Sequence, residues 1–148
     1  MDQPRRPRGS GFTLAEVMIV LAVLGLLTVV AVPQVFEHLR RARRAEAQAV
    51  LHEAALWLER HYSEHRQYHR TSDGTPVELP AALQSVPRGT GAAGYYRVEF
   101  DSLAAQAHTL AAVPRNAMQG DACGSFMVNH LGQKWTRDGR RTDCWVRP

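Results

Sequence analysis

The chain has 148 residues and a formal net charge of +4, which fits one domain plus an anchor, because compact domains take roughly 100–200 residues. Residues 1–11 hold three arginines and one aspartate. The mild charge of the remainder excludes an argument for nucleic-acid binding from net charge alone. The two cysteines, Cys123 and Cys144, have neither CxxC nor Cys/His ligand spacing. A disulfide in an oxidising compartment is the favoured interpretation, and two free thiols are the alternative.

Residues 12–32 form an apolar run that is long enough to cross a membrane as a helix. At a rise of 1.5 Å per residue it spans roughly 31 Å, which matches a bilayer core. A cleavable secretory signal places small residues after its apolar core, whereas Gly9, Ser10 and Gly11 precede this run. Arginines flank both ends, so the positive-inside rule gives no orientation. The cysteines favour a C-terminal part outside the cytoplasm.

Glu16 is the one charged residue in the apolar run. A carboxylate in a membrane-spanning helix costs roughly 2.5–3.5 kcal/mol at the centre and less near an end, so we expect a compensating partner. A carboxylate at the headgroup boundary, which costs little, is the alternative. Gly25 and Pro33 weaken a continuous helix, and Pro33 also removes a backbone donor. We therefore expect a helix break, by bending or local melting, at Pro33.

The string Gly-Phe-Thr-Leu-Ala-Glu-Val-Met-Ile-Val begins at Gly11, follows basic residues and opens the apolar run. It resembles the class III signal of type IV pilins and pseudopilins. The resemblance implies a leader over residues 1–11 that prepilin peptidase removes by cutting between Gly11 and Phe12. It also implies N-methylation of Phe12 and an assembly role for Glu16, whose carboxylate would pair with the Phe12 amino group of the same or a neighbouring subunit.

Beyond the transmembrane and polymerisation helix of residues 12–33, the pattern of residues 34–70 predicts an amphipathic helix. One face is apolar at i, i+3 and i+4 spacing and should lie on a sheet; it comprises Ala47, Val50, Leu51, Ala54, Leu58 and Tyr62. Residues 71–94 are rich in glycine, proline and other turn formers, which predicts a loop between the helix and the sheet.

Residues 95–148 predict an antiparallel sheet and a disulfide-bounded region. Alternating apolar positions indicate strands over residues 95–100, 109–113, 125–129 and 134–136. The expected fold class is therefore α+β, with one long helix packed on a three- or four-stranded meander. Closing the loop from Cys123 to Cys144 would contribute roughly 3 kcal/mol of stability in the chain-entropy model.

The C-terminal segment begins with Cys123-Gly-Ser-Phe and ends in Cys144-Trp145. It resembles the C-terminal region of PilE-like minor pilins, in which a Cys-Gly opening and a terminal Cys-Trp bracket a hairpin. Together with the N-terminal string, this resemblance implies the type IV pilin fold with a C-terminal disulfide loop.

Basic and aromatic residues are interleaved in the same segment. Basic side chains neutralise phosphates and exposed aromatic rings stack on bases. The candidate DNA contacts are Lys134, Trp135, Arg137, Arg140 and Arg141, with Trp145 and Arg147 beside them. The alternative is that the tryptophans belong to the core and the arginines form a solvated rim facing neighbouring subunits. DNA-receptor pilins exist in the family that the chain resembles, so DNA is retained as a candidate partner.

Three histidines, His61, His65 and His69, recur at i+4 and would share one stripe of a continuous helix, as in a partial zinc site. No acidic or cysteine partner has a matching spacing, and a solvated helix face is the favoured explanation. We expect no metal and no cofactor. The sequence has no nucleophile elbow, phosphate-binding glycine loop or HExxH motif, so an enzyme is not expected.

These features predict a minor type IV pilin that is processed, then assembled into or at the tip of a pilus for motility, adhesion or DNA uptake. The alternatives are a DNA-binding competence pilin that acts as an uptake receptor, and a type II secretion pseudopilin. The resemblance implies as partners other pilins, including minor pilins, prepilin peptidase and the pilus assembly platform, but no small-molecule substrate. We expect a single pass through the inner membrane with a periplasmic C-terminus, followed by an extracellular pilus.

Overall fold

The structure, a computed structural model, describes residues 12–139 together with residues 144 and 145. The chain divides into two compact units between Leu39 and Arg40. A long α-helix, α1, runs over Leu14–His65, and three short 3-10 helices cover Ala81–Leu83, Gly91–Ala93 and Asn116–Met118. The strands of the described part of the chain belong to the second unit.

Thr13 caps the start of α1. Its hydroxyl accepts a hydrogen bond from the Glu16 amide at 3.2 Å, which satisfies one of the backbone donors that a helix leaves unpaired at its first turn. Glu16 therefore occupies the third position of the helix, where a negative charge is favoured by the helix dipole. The local sequence Thr-Leu-Ala-Glu has the spacing of a capping box, so Glu16 also suits the start of a helix.

The first unit exposes an apolar helix surface. The side chains of residues 12–29 and 31–36 are all exposed. Among the described residues, α1 is the one helix long and apolar enough to cross a membrane. Pro33 lies inside α1, and the helix continues past it. Local melting at Pro33 in an assembled polymer stays a prediction.

In the second unit, α1 buries the predicted apolar face. Ala47, Leu51, Ala54 and Leu58 are fully buried, which confirms the face read from the periodicity. The helix ends at His65 rather than at position 70, because Arg66 adopts a left-handed backbone conformation with φ of 58°. Two residues later the Tyr68 amide donates to the Ala105 carbonyl at 3.0 Å, which draws the chain away from the helix axis.

Within residues 12–139, five antiparallel strands form one sheet in the order β1-β2-β3-β4-β5. Their bounds are Ser85–Val86, Tyr96–Leu103, His108–Pro114, Ser125–Asn129 and Lys134–Arg137. The meander of the last four strands confirms the alternation patterns. The two-residue strand β1 lies in the segment predicted to be a loop, so the sheet has one strand more than the upper limit predicted. A pair of residues is too short to show a period of two.

The core lies between α1 and one face of the sheet. Inward-facing strand residues meet the buried helix stripe and are themselves almost inaccessible to solvent: Tyr96, Val98, Leu110, Ala112, Phe126 and Val128. Burial of such side chains stabilises the fold by roughly 1.5–3 kcal/mol each for the larger ones. On the opposite face of the sheet, the paired residues Ala111 and Met127 are also buried.

Gly124 lies where the strand β4 begins and the end of β5 passes close by. Its φ is +61°, and a Cβ at this position would come within 2.2 Å of the Arg137 carbonyl oxygen and 2.5 Å of the Gly139 nitrogen. We predict that Gly124→Ala destabilises the chain by more than 2 kcal/mol, at the order of magnitude expected for a left-handed residue combined with a backbone clash. Denaturant unfolding of the full chain in detergent measures the loss.

Gly132→Ala is the matched control. Gly132 also has a positive φ, of +71°, but a Cβ there would meet nothing within 4 Å. We expect the control to cost only the left-handed backbone strain of about 1–2 kcal/mol. If the two variants lose equal amounts of unfolding free energy, the close backbone approach at Gly124 adds nothing to the cost of the substitution.

Candidate nucleic-acid interface

The predicted DNA contacts lie on β5 and beside it. Lys134 pairs with Val128 of β4, whereas Trp135 pairs with Met127. Residues opposite each other in an antiparallel pair share a face of the sheet. Since Val128 belongs to the core, Lys134 lies on the helix side of the sheet. Trp135 and Arg137 lie on the opposite face, so the candidate contacts divide between two faces that meet at this sheet edge.

On the outer face, Arg137 forms an ion pair with Asp101 of β2 at 2.7 Å. The hydrogen bond from Arg137 holds the pKa of the Asp101 carboxyl below its usual range. Both side chains are partly exposed, so water and salt screen the pair. A phosphate group that approaches Arg137 therefore has to compete with Asp101. Trp135 is 38% exposed, which leaves part of its ring accessible.

On the helix side, Lys134 and Trp145 lie together. The Lys134 ammonium is 5.5 Å from the centre of the Trp145 ring, within the range of a cation–π contact. The Trp145 indole donates to the Trp135 carbonyl at 3.0 Å. Trp145 is partly buried against the core. Both tryptophans of the segment are therefore partly exposed to solvent, so neither is a fully buried core residue.

Arg140 and Arg141 lie outside the described residues, as does Arg147. The structure consequently brings together Lys134, Trp135 and Arg137 of the predicted set with the neighbouring Trp145, and it adds Asp101. No sequence pattern pointed to Asp101, because its pairing with Arg137 depends on strand order across the sheet. Trp145 was noted in the sequence beside the candidate DNA contacts, but its contact with Lys134 was not predicted.

The disulfide confirms the predicted pairing of Cys123 with Cys144, with a Cα–Cα distance of 5.6 Å. It joins the start of β4 to the residue before Trp145. The Gln48 side chain of α1 donates to the Cys144 carbonyl at 2.8 Å. The C-terminal segment is therefore attached to both the sheet and the helix at one point.

A buried ion pair supports the other end of this loop. The guanidinium of Arg44 donates to both carboxylate oxygens of Asp121, at 2.9 and 2.6 Å, and the Asp121 side chain is 1% exposed. Asp121 also accepts the Cys123 amide at 3.1 Å. Burial on its own raises the pKa of Asp121, but these hydrogen bonds outweigh it and hold the pKa below the usual value.

The three histidines do not share a helical stripe. His61 and His65 lie on α1, whereas His69 follows the helix end. The ring of His61 contacts the Arg70 carbonyl at 3.0 Å, and the ring of His65 contacts the Ser72 hydroxyl at 2.7 Å. Through these contacts, His61 and His65 stabilise the turn that follows α1. Within the described residues, no group of three or more metal-ligating side chains occurs.

Two family models match the sequence. Residues 33–127, more than half of the chain, match the family described as "Type IV minor pilin ComP, DNA uptake sequence receptor". Residues 6–32 match the prokaryotic N-terminal methylation motif. The chain belongs to the ComP family of type IV minor pilins. Membership confirms the family resemblance and, together with the helix and sheet described above, the α+β pilin fold.

Individual relatives agree with this family. This pilin is 42% identical over 45 residues to the type IV major pilin protein PilA of Myxococcus xanthus (strain DK1622), a stretch that covers 30% of this chain and 20% of that pilin. A type IV pilin of Shewanella oneidensis has 30% identity and a TM-score of 0.48, with 72% of this chain and 98% of that chain covered.

The non-core minor pilin PilV of Neisseria meningitidis has 19% identity and a TM-score of 0.50, with 71% of this pilin and 93% of PilV covered. At that identity the likeness establishes the fold alone. The family is one of structural pilin subunits, and the apolar N-terminal helix agrees with membrane anchoring and a place in the pilus.

We predict that Asp121→Asn destabilises this pilin by about 3 kcal/mol at neutral pH, because it removes a buried carboxylate that accepts two hydrogen bonds from the Arg44 guanidinium. Since the folded-state pKa lies below the unfolded value, the unfolded chain binds the proton first as the pH falls. The contribution of the pair is therefore present above about pH 4 and lost below it. Unfolding of the full chain in detergent at several pH values measures both effects.

Glu53→Gln provides the control, since Glu53 pairs with Arg88 and both side chains are largely exposed. An exposed pair contributes at most about 1 kcal/mol. The parent and Glu53→Gln should lose stability together in acid, whereas Asp121→Asn should show a shallower dependence. Parallel acid profiles for the parent and Asp121→Asn would contradict the assigned role.

Proposed function

We propose that this pilin is a DNA receptor carried by a type IV pilus. The match of residues 33–127 to the DNA uptake sequence receptor family carries this proposal. It favours the competence-pilin alternative over a general motility or adhesion subunit. A match to type IV minor pilins also favours a pilin over a secretion pseudopilin.

The surface around β5 has the chemistry that such a receptor requires. Lys134 and Arg137 supply cations for phosphates, and Trp135 exposes an aromatic ring for stacking. The two cations lie on opposite faces at one edge of the sheet, so a strand of DNA that follows this edge would meet both. Arg140 and Arg141 follow directly in the sequence and extend the same basic segment.

We predict that the triple variant Arg137→Gln, Arg140→Gln and Arg141→Gln weakens DNA binding by at least about 10-fold at low salt. Each phosphate contact contributes about 0.9 to the slope of log affinity against log salt concentration for duplex DNA. Loss of three contacts should therefore lower the slope by roughly 3. Gel shift or anisotropy with the full chain in detergent, repeated at rising salt, measures both quantities.

A second triple variant removes the same charge elsewhere on the second unit: Arg88→Gln, Arg97→Gln and Arg115→Gln. These arginines lie on the loop before β2, on β2 and after β3. We expect a much smaller loss of binding, limited to the change in net charge. Equal losses would assign binding to overall charge, and absence of any binding by the parent at low salt would reject the receptor function.

The proposal also includes the route to the pilus. Prepilin peptidase would cut between Gly11 and Phe12 and methylate Phe12, and the exposed apolar part of α1 would hold the precursor in the inner membrane. The disulfide supports a periplasmic position for the C-terminal unit, because such bonds persist in oxidising compartments. The assembly platform would then transfer the chain into the shaft or to the tip of a filament of other pilins.

Glu16 would act at this transfer. Its carboxylate lies in the first turn of α1, and the new Phe12 amino group would be its counter-charge in the same or a neighbouring subunit. An ion pair in a low-dielectric environment stabilises both charges once the partner arrives. Gly11 lies outside the described residues, so support for the cleavage point comes from the motif match over residues 6–32.

We predict that pilin recovered from sheared surface filaments begins with N-methyl-Phe12, and that Glu16→Ala reduces its recovery by at least about 10-fold, the effect of roughly 1.4 kcal/mol. Mass spectrometry of the filaments measures the terminus and the abundance. Thr28→Val is the control, because it removes a polar group of the same segment whose hydroxyl bonds only its own helix at Leu24. Normal recovery of Glu16→Ala, or an uncut terminus, would contradict this route.

A further inference from the structure

A small cavity lies between α1 and the end of the sheet. It has a volume of about 200 Å³ and is lined by Gln48, Ala49, His52, Val128, Lys134 and Trp145. Ala49, His52 and Lys134 are exposed, so the cavity opens to solvent. Pockets for drug-sized ligands hold roughly 300–1,000 Å³. The cavity therefore suits a single planar ring system rather than a larger molecule.

The Trp145 ring is held in place on several sides. Cys144 beside it is fixed by the disulfide and by the hydrogen bond from Gln48 to its carbonyl. The indole nitrogen donates to the Trp135 carbonyl, and the Phe126 ring meets Trp145 edge-on with 5.3 Å between the ring centres. An aromatic ring that is already ordered costs little further entropy when a ligand stacks on it.

Lys134 occupies the position over this ring. Its ammonium is 5.5 Å from the ring centre, and both residues line the cavity. A lysine side chain has many rotamers and a strongly hydrated charge, so it can leave the ring at low cost. Among the described residues, Lys134 has no ion pair with a carboxylate. The two side chains together suit a nucleotide: the Trp145 ring can stack on a base, and the Lys134 ammonium can pair with the phosphate attached to it.

We propose that this cavity receives one unstacked nucleobase of the bound DNA. The base lies on the Trp145 ring, Lys134 moves from the ring to the adjoining phosphate, and His52 faces the edge of the base. This inference rests on the proposed receptor function and specifies which part of the DNA the site binds. Stacking on an aromatic side chain is tolerant of base identity, so the cavity adds affinity for an unpaired base.

DNA with an unpaired base should bind more tightly than a full duplex, because the cost of extruding a paired base is absent. We expect the full chain in detergent to bind a duplex with one extra, unpaired adenine about 10-fold more tightly than the fully paired duplex, as expected for one stacking contact. A 2-aminopurine in the unpaired position should lose fluorescence on binding as it stacks.

Ala49→Phe tests the cavity without altering Trp145 or Lys134. Ala49 is exposed on α1 and lines the cavity, so a phenyl ring at this position fills it with little risk to the core. We expect this variant to lose the preference for the unpaired base and the fluorescence change, while it binds the full duplex as the parent does. Ala42→Phe, at an exposed α1 position outside the cavity, should keep the preference.

The outcomes separate the two proposals. If the parent binds both duplexes equally, or if Ala49→Phe keeps the preference, the base-binding cavity is rejected and the receptor function stands. If the parent binds neither duplex at low salt, the receptor function is rejected and the cavity proposal with it. If Ala42→Phe also abolishes the preference for the unpaired base, the preference does not depend on the cavity, and the cavity proposal is rejected.

Discussion

The attachment of the C-terminal segment to the core is the constraint on which the candidate interface depends. The disulfide joins Cys123 to Cys144, and the Gln48 side chain bonds the Cys144 carbonyl. At the other end of the loop, the buried pair of Arg44 and Asp121 holds the backbone just before Cys123. These contacts converge on α1, so the position of Trp145 is determined by the same helix that forms the core. Without them, the end of the chain would lose the orientation that places an indole beside Lys134.

One helix combines two different surfaces. Before residue 37 its described side chains are exposed and mostly apolar, which is unfavourable in water and favourable in lipid or against other apolar helices. From Ala47 to Leu58 a single stripe is buried against the sheet, while Ala49, His52 and Leu56 stay exposed. The change of pattern within a continuous helix lets a single element serve both as an anchor and as half of a core. The same hydrogen-bonded helix backbone therefore continues from an apolar, exposed part into a part that is packed on the sheet.

Local sequence patterns predicted most helix and strand positions. They could not predict contacts between residues that are distant in sequence. The i, i+3, i+4 spacing of Ala47, Leu51 and Leu58 identified the buried face, and period-two alternation located four strands. The helix end was placed too late, because the left-handed turn at Arg66 occurs at a residue type with no strong signal for it. The candidate site was harder to predict from the sequence. The face of the sheet on which Lys134 lies depends on its register with Val128, and the partner of Arg137 lies on a strand that is distant in sequence.

The pairing of the arginines with acids bears on the kind of DNA binding that we propose for this surface. Arg137 is engaged by Asp101, and on the same sheet Arg97 is engaged by Glu99 at 3.1 Å. With a net charge of +4 on the whole chain, a strong long-range field is not the source of affinity. Each phosphate contact at a paired arginine replaces one ion pair with another, which yields less than a contact at an unpaired cation. Aromatic stacking then has to supply a larger share of the binding energy, and stacking requires a ring in a fixed position. The fixed indole of Trp145 beside the mobile cation of Lys134 meets that requirement.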